Sequence, residues 1–144
     1  MSNYNIEKSF PKLQAGGYKI TSPDTVDYNC IAWAAGDTEA WWWPDPLNMY
    51  YWPIGVSRAE TLEGFIEAFA TLGFTLCDVA EYEKGFEKVA IYVDTSGKPT
   101  HAARQLSSGL WTSKLGKLQD IAHDIDGVSG DLYGAVAVIM KKPK

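Results

Sequence analysis

The run "KVAIYVDTSGKPTHAARQLSSGLWTSKLG", residues 88–116, constrains the fold more than any other part of the chain. "KVAIYVD" alternates and is rich in β-formers, with Val89, Ile91 and Val93 on one face. "DTSGKP" and "SSG" are turn sequences, each followed by another short extended run, "THAARQL" and then "LWTSKLG". Strands joined by turns this short run antiparallel, since a parallel pairing needs a crossover of about a dozen residues or more. Near the end, "GAVAVIMKK" reads as a strand buried on both faces.

The first half has a different period. In "SRAETLEGFIEAFATLGF", Ser57 and Glu60 form a capping box, and Leu62, Phe65, Ile66, Phe69 and Leu72 recur at helical spacing. Gly73 sits where a left-handed C-cap belongs. A shorter helix should begin at Cys30 in "DYNCIAWAAG", capped by Asp27 or Asn29 and stopped by Gly36. "WWWPDPLNMYYWPIG" sets three prolines among bulky aromatics and reads as an irregular, aromatic-packed loop. Residues 1–29, rich in Asn, Ser, Pro, Gly and Asp, read as loop with one extended piece at Tyr18–Ile20, and 1–15 as a loosely ordered arm. The stretch 118–132 follows neither period. The order predicts one α+β domain over 1–144: a Cys-bearing helix and a second amphipathic helix on one side of a small antiparallel sheet.

Composition bounds the function. With 46% hydrophobic and 22% charged residues in 144, the chain reads as an ordinary globular protein with a real core. Its net charge is -5, and its one basic cluster is the terminal "KKPK", which argues against nucleic acid held through phosphates. No run is apolar enough for a membrane span or a signal peptide, so the expectation is a cytoplasmic protein with no membrane partner. In a reducing compartment Cys30 and Cys77 stay thiols, and a disulfide between them would need an exporting context.

Cys30, His101 and the Ser113/Lys114 pair stand out chemically. A cysteine in a first helical turn meets unpaired amides and the positive end of the helix dipole, which favour the reactive thiolate. His101, opening a strand, can take the thiol proton and return it to a leaving group. The plain alternative for Cys30 is a small buried apolar residue, and for His101 a hydrogen-bonded structural one. Cys77, in an extended apolar run, reads as core, and His123, between carboxylates, as an exposed charge partner. Zinc held by Cys30, Cys77, His101 and His123 lacks any short ligand spacing, so no cofactor is implied. Trp33, Trp41, Trp42 and Trp43 read first as packing, and otherwise as an aromatic wall gripping a ligand. Arg104 and Lys114 could hold a carboxylate, although Arg104 lies opposite His101 in a regular strand.

"DYNCIAWA" followed by "THAARQLSSGLWTSKLG" resembles the papain-like cysteine hydrolases in their compact bacterial form, the cell-wall cysteine peptidases. "NCIAWAAG…WWWP", "GFEKVAIY", "PTHAARQL" and "WTSKLG" look like an uncharacterised bacterial domain family covering nearly the whole chain. The superfamily resemblance implies Cys30 as nucleophile, His101 as base and a third, imidazole-orienting residue across the hairpin. Ser113 is nearest by spacing, where the superfamily usually has Asn, Asp, His or Gln, while Asp120 or His123 could reach in from the loop. Oxyanion donors would be the Cys30 backbone N–H with Asn29 or Tyr28.

Two functional expectations follow. One is a thiol-dependent hydrolase or acyl/amide transferase acting on a peptide-like or small-molecule substrate. The other is a catalytically silent domain whose aromatic groove holds a protein or small ligand.

Overall fold

The protein is described by a computed structural model over residues 2–115 and 119–144. Gly116 and Leu118, the ends of two segments read above, lie outside the described residues. In chain order the elements are α1 (Ser2–Ser9), α2 (Pro11–Gly16), β1 (Tyr18–Ile20), α3 (Cys30–Ala35), α4 (Leu62–Ala70), β2 (Thr75–Cys77), β3 (Phe86–Val93), β4 (Pro99–Gln105), β5 (Trp111–Lys114), β6 (Asp120–His123) and β7 (Ala135–Pro143).

Strands β3 to β5 form the expected antiparallel meander, and β6, from the stretch that follows neither period, extends it. The sheet around it is much larger than expected. Among the described residues it has seven strands in the order β1-β6-β5-β4-β3-β7-β2, and every pairing is antiparallel. The papain-like arrangement, a Cys-bearing helix on a small sheet, is therefore corrected: the protein is mostly sheet, with helices of six to nine residues. The cause lies in β7. It returns across the sheet to pair with the free edge of β3, and β2 adds beyond it. Only Ile139 and Met140 of β7 are buried, so it is not the doubly buried strand its composition suggests.

A sheet with both faces covered needs two cores, and alternation along β3 supplies them. Val89 and Ile91 face a cluster roofed by α3, α4 and the aromatic loop. Ala90 and Tyr92 face a second cluster built on Ile6, Phe10, Leu13, Trp111, Ile121 and Val128. Full burial of side chains such as Phe65, Phe69, Ile91 and Ile121 stabilises by about 1.5–3 kcal/mol each. The helices are thus not confined to one side of the sheet. Residues 1–15, expected to be a loose arm, contribute α1 and α2, and Ile6, Phe10 and Leu13 cover the second face.

Local signals explain the two helices on the first face. The Asn29 side chain accepts the Ala32 N–H at the start of α3, and Gly36 closes it at φ 87. Asp27 does not cap this helix. Helix α4 is capped by Thr61, whose Oγ1 accepts the Gly64 N–H, while Glu60 pairs with Lys98. The Ser57/Glu60 capping box is thus replaced by a cap three residues before Gly64. At the other end Gly73 takes φ 98, with its N–H to Ala70 O and the Phe74 N–H to Phe69 O.

Candidate functional site

Strand β4 decides where the candidate residues go. His101 lies directly opposite Tyr92 on β3, and their rings meet edge to face at 5.2 Å. Tyr92 belongs to the second cluster, so His101 does too, with Tyr133 stacked flat on its ring at 4.0 Å. Ala102, the next residue, turns to the first cluster, which contains Cys30. The pleat therefore separates the thiol and the imidazole onto opposite faces of the sheet. The expected Cys30–His101 hydrogen bond is not made, and among the described residues His101 Nδ1 has no hydrogen-bond partner.

The expected His101–Ser113 contact is present. His101 Nε2 lies 2.9 Å from Ser113 Oγ, which lies 2.7 Å from His123 Nε2. His123 Nδ1 meets the Asp124 carbonyl, which can only accept, so Nδ1 carries the proton. His123 Nε2 must then accept from the Ser113 hydroxyl, and Ser113 Oγ accepts the His101 Nε2–H. One direction of donation runs through the chain, leaving an unprotonated lone pair at His101 Nδ1. Ser113 contacts His101 and joins it to a second imidazole rather than to a nucleophile. His123 is accordingly a buried member of this chain and not an exposed charge partner.

Burial sets the charge of both groups. It pushes the Cys30 thiol up to about 11, outweighing the opposing pull of the backbone N–H groups of Ala102, Ile31 and Cys30 itself and of the Lys114 charge. The helix dipole does not win here, so the thiol is protonated at neutral pH. His101 is held well below its ordinary value, first by burial and then by His123. His123 is also lowered by burial, against the opposing influence of the Asp124 carbonyl and carboxylate. Four surface clefts of about 210 to 480 Å³ are lined by other residues, except that His123 borders the smallest.

On the α3 face the other candidates hold structure together. Asn29, expected near an oxyanion, spends its amide on the Ala32 N–H and on the Trp42 N–H and carbonyl. The Tyr28 hydroxyl donates to Asp120 Oδ2 at 2.7 Å, and its ring lies against Trp33. Trp33 donates Nε1–H to Thr112 and carries the Arg104 guanidinium 4.4 Å above its ring. Lys114 lies 5.3 Å above the Tyr28 ring and donates to Thr25 O. Arg104 and Lys114 thus face away from Ser113 and His101, as regular strands require. Both cysteines are free: Cys30 is in the first cluster, and Cys77 lies half-buried on β2 against the second. Cys77 is thus less buried than the core position expected. Among the described residues no three His, Cys, Asp or Glu side chains gather as metal ligands.

The aromatic wall divides similarly. Trp42 is buried, with Nε1–H to Asp37; Trp43 packs edge-on against Phe65; Trp41 meets Tyr50. Beyond them, Leu47, Met49, Tyr50, Tyr51 and Ile54 are exposed within eight positions, Ile54 at 98%. Arg58 holds this loop in shape by donating to the carbonyls of Trp43, Asp45 and Tyr50 and to the side chains of Asp45 and Asn48. Asp45 in turn accepts the N–H groups of Met49 and Tyr50. Neither the Arg58–Asp45 clamp nor the Tyr133 stack had a signal in the sequence; each joins a residue of a periodic segment to one outside any.

The fold and site thus define an α+β protein built on one antiparallel sheet, with a buried thiol, a buried His–Ser–His chain and an exposed apolar loop tied down by Arg58 and Asp45. The family model for a domain of unknown function, DUF7689, matches residues 19–141. The chain belongs to that family. No curated protein and no solved structure matches it. Among the described residues no helix is long and apolar enough to cross a membrane.

Proposed function

We propose that this protein is a binding domain whose working surface is the loop spanning residues 44–56, and that it does no thiol chemistry. The observation that carries the reading is the loop itself: five large apolar side chains held in water by a backbone that Arg58 and Asp45 have already ordered. Exposed apolar patches mark interaction sites, and an ordered loop loses less entropy on binding than a mobile one. Cys30 counts toward the same reading. It is buried, protonated and, among the described residues, makes no hydrogen bond to a histidine, whereas a nucleophile needs access and an adjacent base.

The test places the photo-crosslinking residue p-benzoylphenylalanine at position 54 in cells, and at the exposed Leu132 as control. A discrete cross-linked species from position 54 alone, undiminished by Cys30→Ser, is expected. No species at position 54, or one abolished by Cys30→Ser, would overturn the reading.

A further inference from the structure

Resting on that reading, we infer that the partner of the loop is a protein segment carrying apolar side chains flanked by Lys or Arg. The argument comes from where the charge sits. Residues 37–67 comprise the loop and its two flanks, and they contain Asp37, Glu39, Asp45, Glu60, Glu63 and Glu67 against Arg58 alone. That is one positive and six negative charges, or -5, which equals the net charge of the whole chain. The remaining 12 acidic and 12 basic residues cancel. All the imbalance therefore belongs to the segment that also carries the exposed apolar side chains.

The segment is compact as well as contiguous. Trp43 and Trp52 pack on Phe65 of α4, and Trp42 ties the loop to Asp37 and Asn29. Arg58, its one cation, is spent inside the loop on Asp45 and backbone carbonyls. Glu39, Glu63 and Glu67 are exposed. Glu60 is paired with Lys98 from outside the segment, so the exposed Glu39, Glu63 and Glu67 carry the negative charge offered to a partner.

This charge discriminates among occupants. A second copy of the chain would bring five more negative charges to the same place, and an anionic membrane surface would be repelled likewise. A basic, apolar segment gains from both terms. Its encounter is steered by charge and its complex is held by apolar burial.

The probe is a random 16-residue peptide library displayed on phage. It is selected on the immobilised full chain and, in parallel, on the Leu47→Ser/Met49→Ser/Ile54→Ser variant, whose three positions are exposed enough to leave folding intact. Peptides enriched on the chain and not on the variant should combine apolar residues with net positive charge. A synthetic representative should bind the variant about tenfold or more weakly, as removal of buried apolar contacts requires. Its affinity should fall about fivefold between 50 and 500 mM NaCl, and fall again on Glu39→Lys/Glu63→Lys. Loop-dependent peptides that are neutral or acidic would overturn the partner chemistry while leaving the binding reading intact. No loop-dependent peptide at all would overturn both. A loop-dependent dimer in sedimentation, or loop-dependent binding to phosphatidylcholine/phosphatidylserine vesicles, would assign the surface to another occupant and overturn the inference.

Discussion

Acidification should unfold this protein through its core, and the buried imidazoles set the pH at which it begins. Both His101 and His123 have folded-state values below the ordinary 6.5, His101 well below. The unfolded chain therefore binds protons that the native state refuses, so stability present above about pH 6.5 is lost as pH falls toward the folded values. Each histidine kept neutral costs about 1.4 kcal/mol per pH unit once the unfolded imidazole is fully protonated. Between pH 6 and 5 the unfolded imidazole goes from about three-quarters to nearly fully protonated, so each neutral histidine removes about 1.2 kcal/mol. That is the most either ring contributes over this interval, so the two together lower stability by at most about 2.4 kcal/mol. The carboxylates held low, Asp45, Glu83 and Asp94, lose their stabilisation only in the more acidic range, which leaves this window to the histidines. Urea unfolding followed by tryptophan fluorescence at pH 7.5, 6 and 5 measures the change. Nitrogen-15 NMR of the rings should show His101 protonated at Nε2 and His123 at Nδ1 throughout the native range. Equal unfolding free energy at pH 7.5 and 5, or a His101 ring that titrates near 6.5 in the folded protein, would refute the reasoning.

Three other outcomes follow from particular contacts. Gly134→Ala places a methyl 1.9 Å from the Val93 carbonyl oxygen at a residue with φ +76, so the entry to β7 must move; a loss of about 3 kcal/mol or more is expected in urea unfolding. Asn29→Ala removes the α3 cap and both links to Trp42, at a cost of about 2–4 kcal/mol by the same assay. Asn29→Asp should recover part of that loss, because a carboxylate still accepts two N–H groups but cannot donate to the Trp42 carbonyl. Iodoacetamide at pH 8, followed by peptide mapping, should modify half-buried Cys77 well before Cys30, whose thiol is buried and held near 11; faster labelling at Cys30 would contradict its burial.

Much of the local structure was legible because it is encoded locally. The cap at Asn29 with the stop at Gly36, the stripe Phe65–Phe69 and the meander from Lys88 onward depend on side chains within a few positions of one another. The contact of Ser113 with His101 was anticipated from hairpin spacing once the resemblance had called for a residue across from the imidazole. The N-terminal helices were missed because Ile6, Phe10 and Leu13 are too sparse to mark an amphipathic segment without the sheet face they cover. Strand β7 was recognised but not its neighbours, since nothing in "GAVAVIMKK" says which edge it will join.

The strand pattern, the two capped helices and the concentration of negative charge around an apolar loop are properties of the chain as written, because each arises between neighbours in sequence. Which core each candidate residue enters was decided by the distant segments that pack on each face: α3 with Cys30 on the Ala102 side, and Tyr133 with Ile6, Phe10 and Leu13 on the His101 side. Tyr92 and His101 share one core, while Cys30 and Ala102 share the other. A strand's period of two makes the alternation between His101 and Ala102 absolute, so the docking of α3 on one face separates a thiol from a base that the sequence alone had put together.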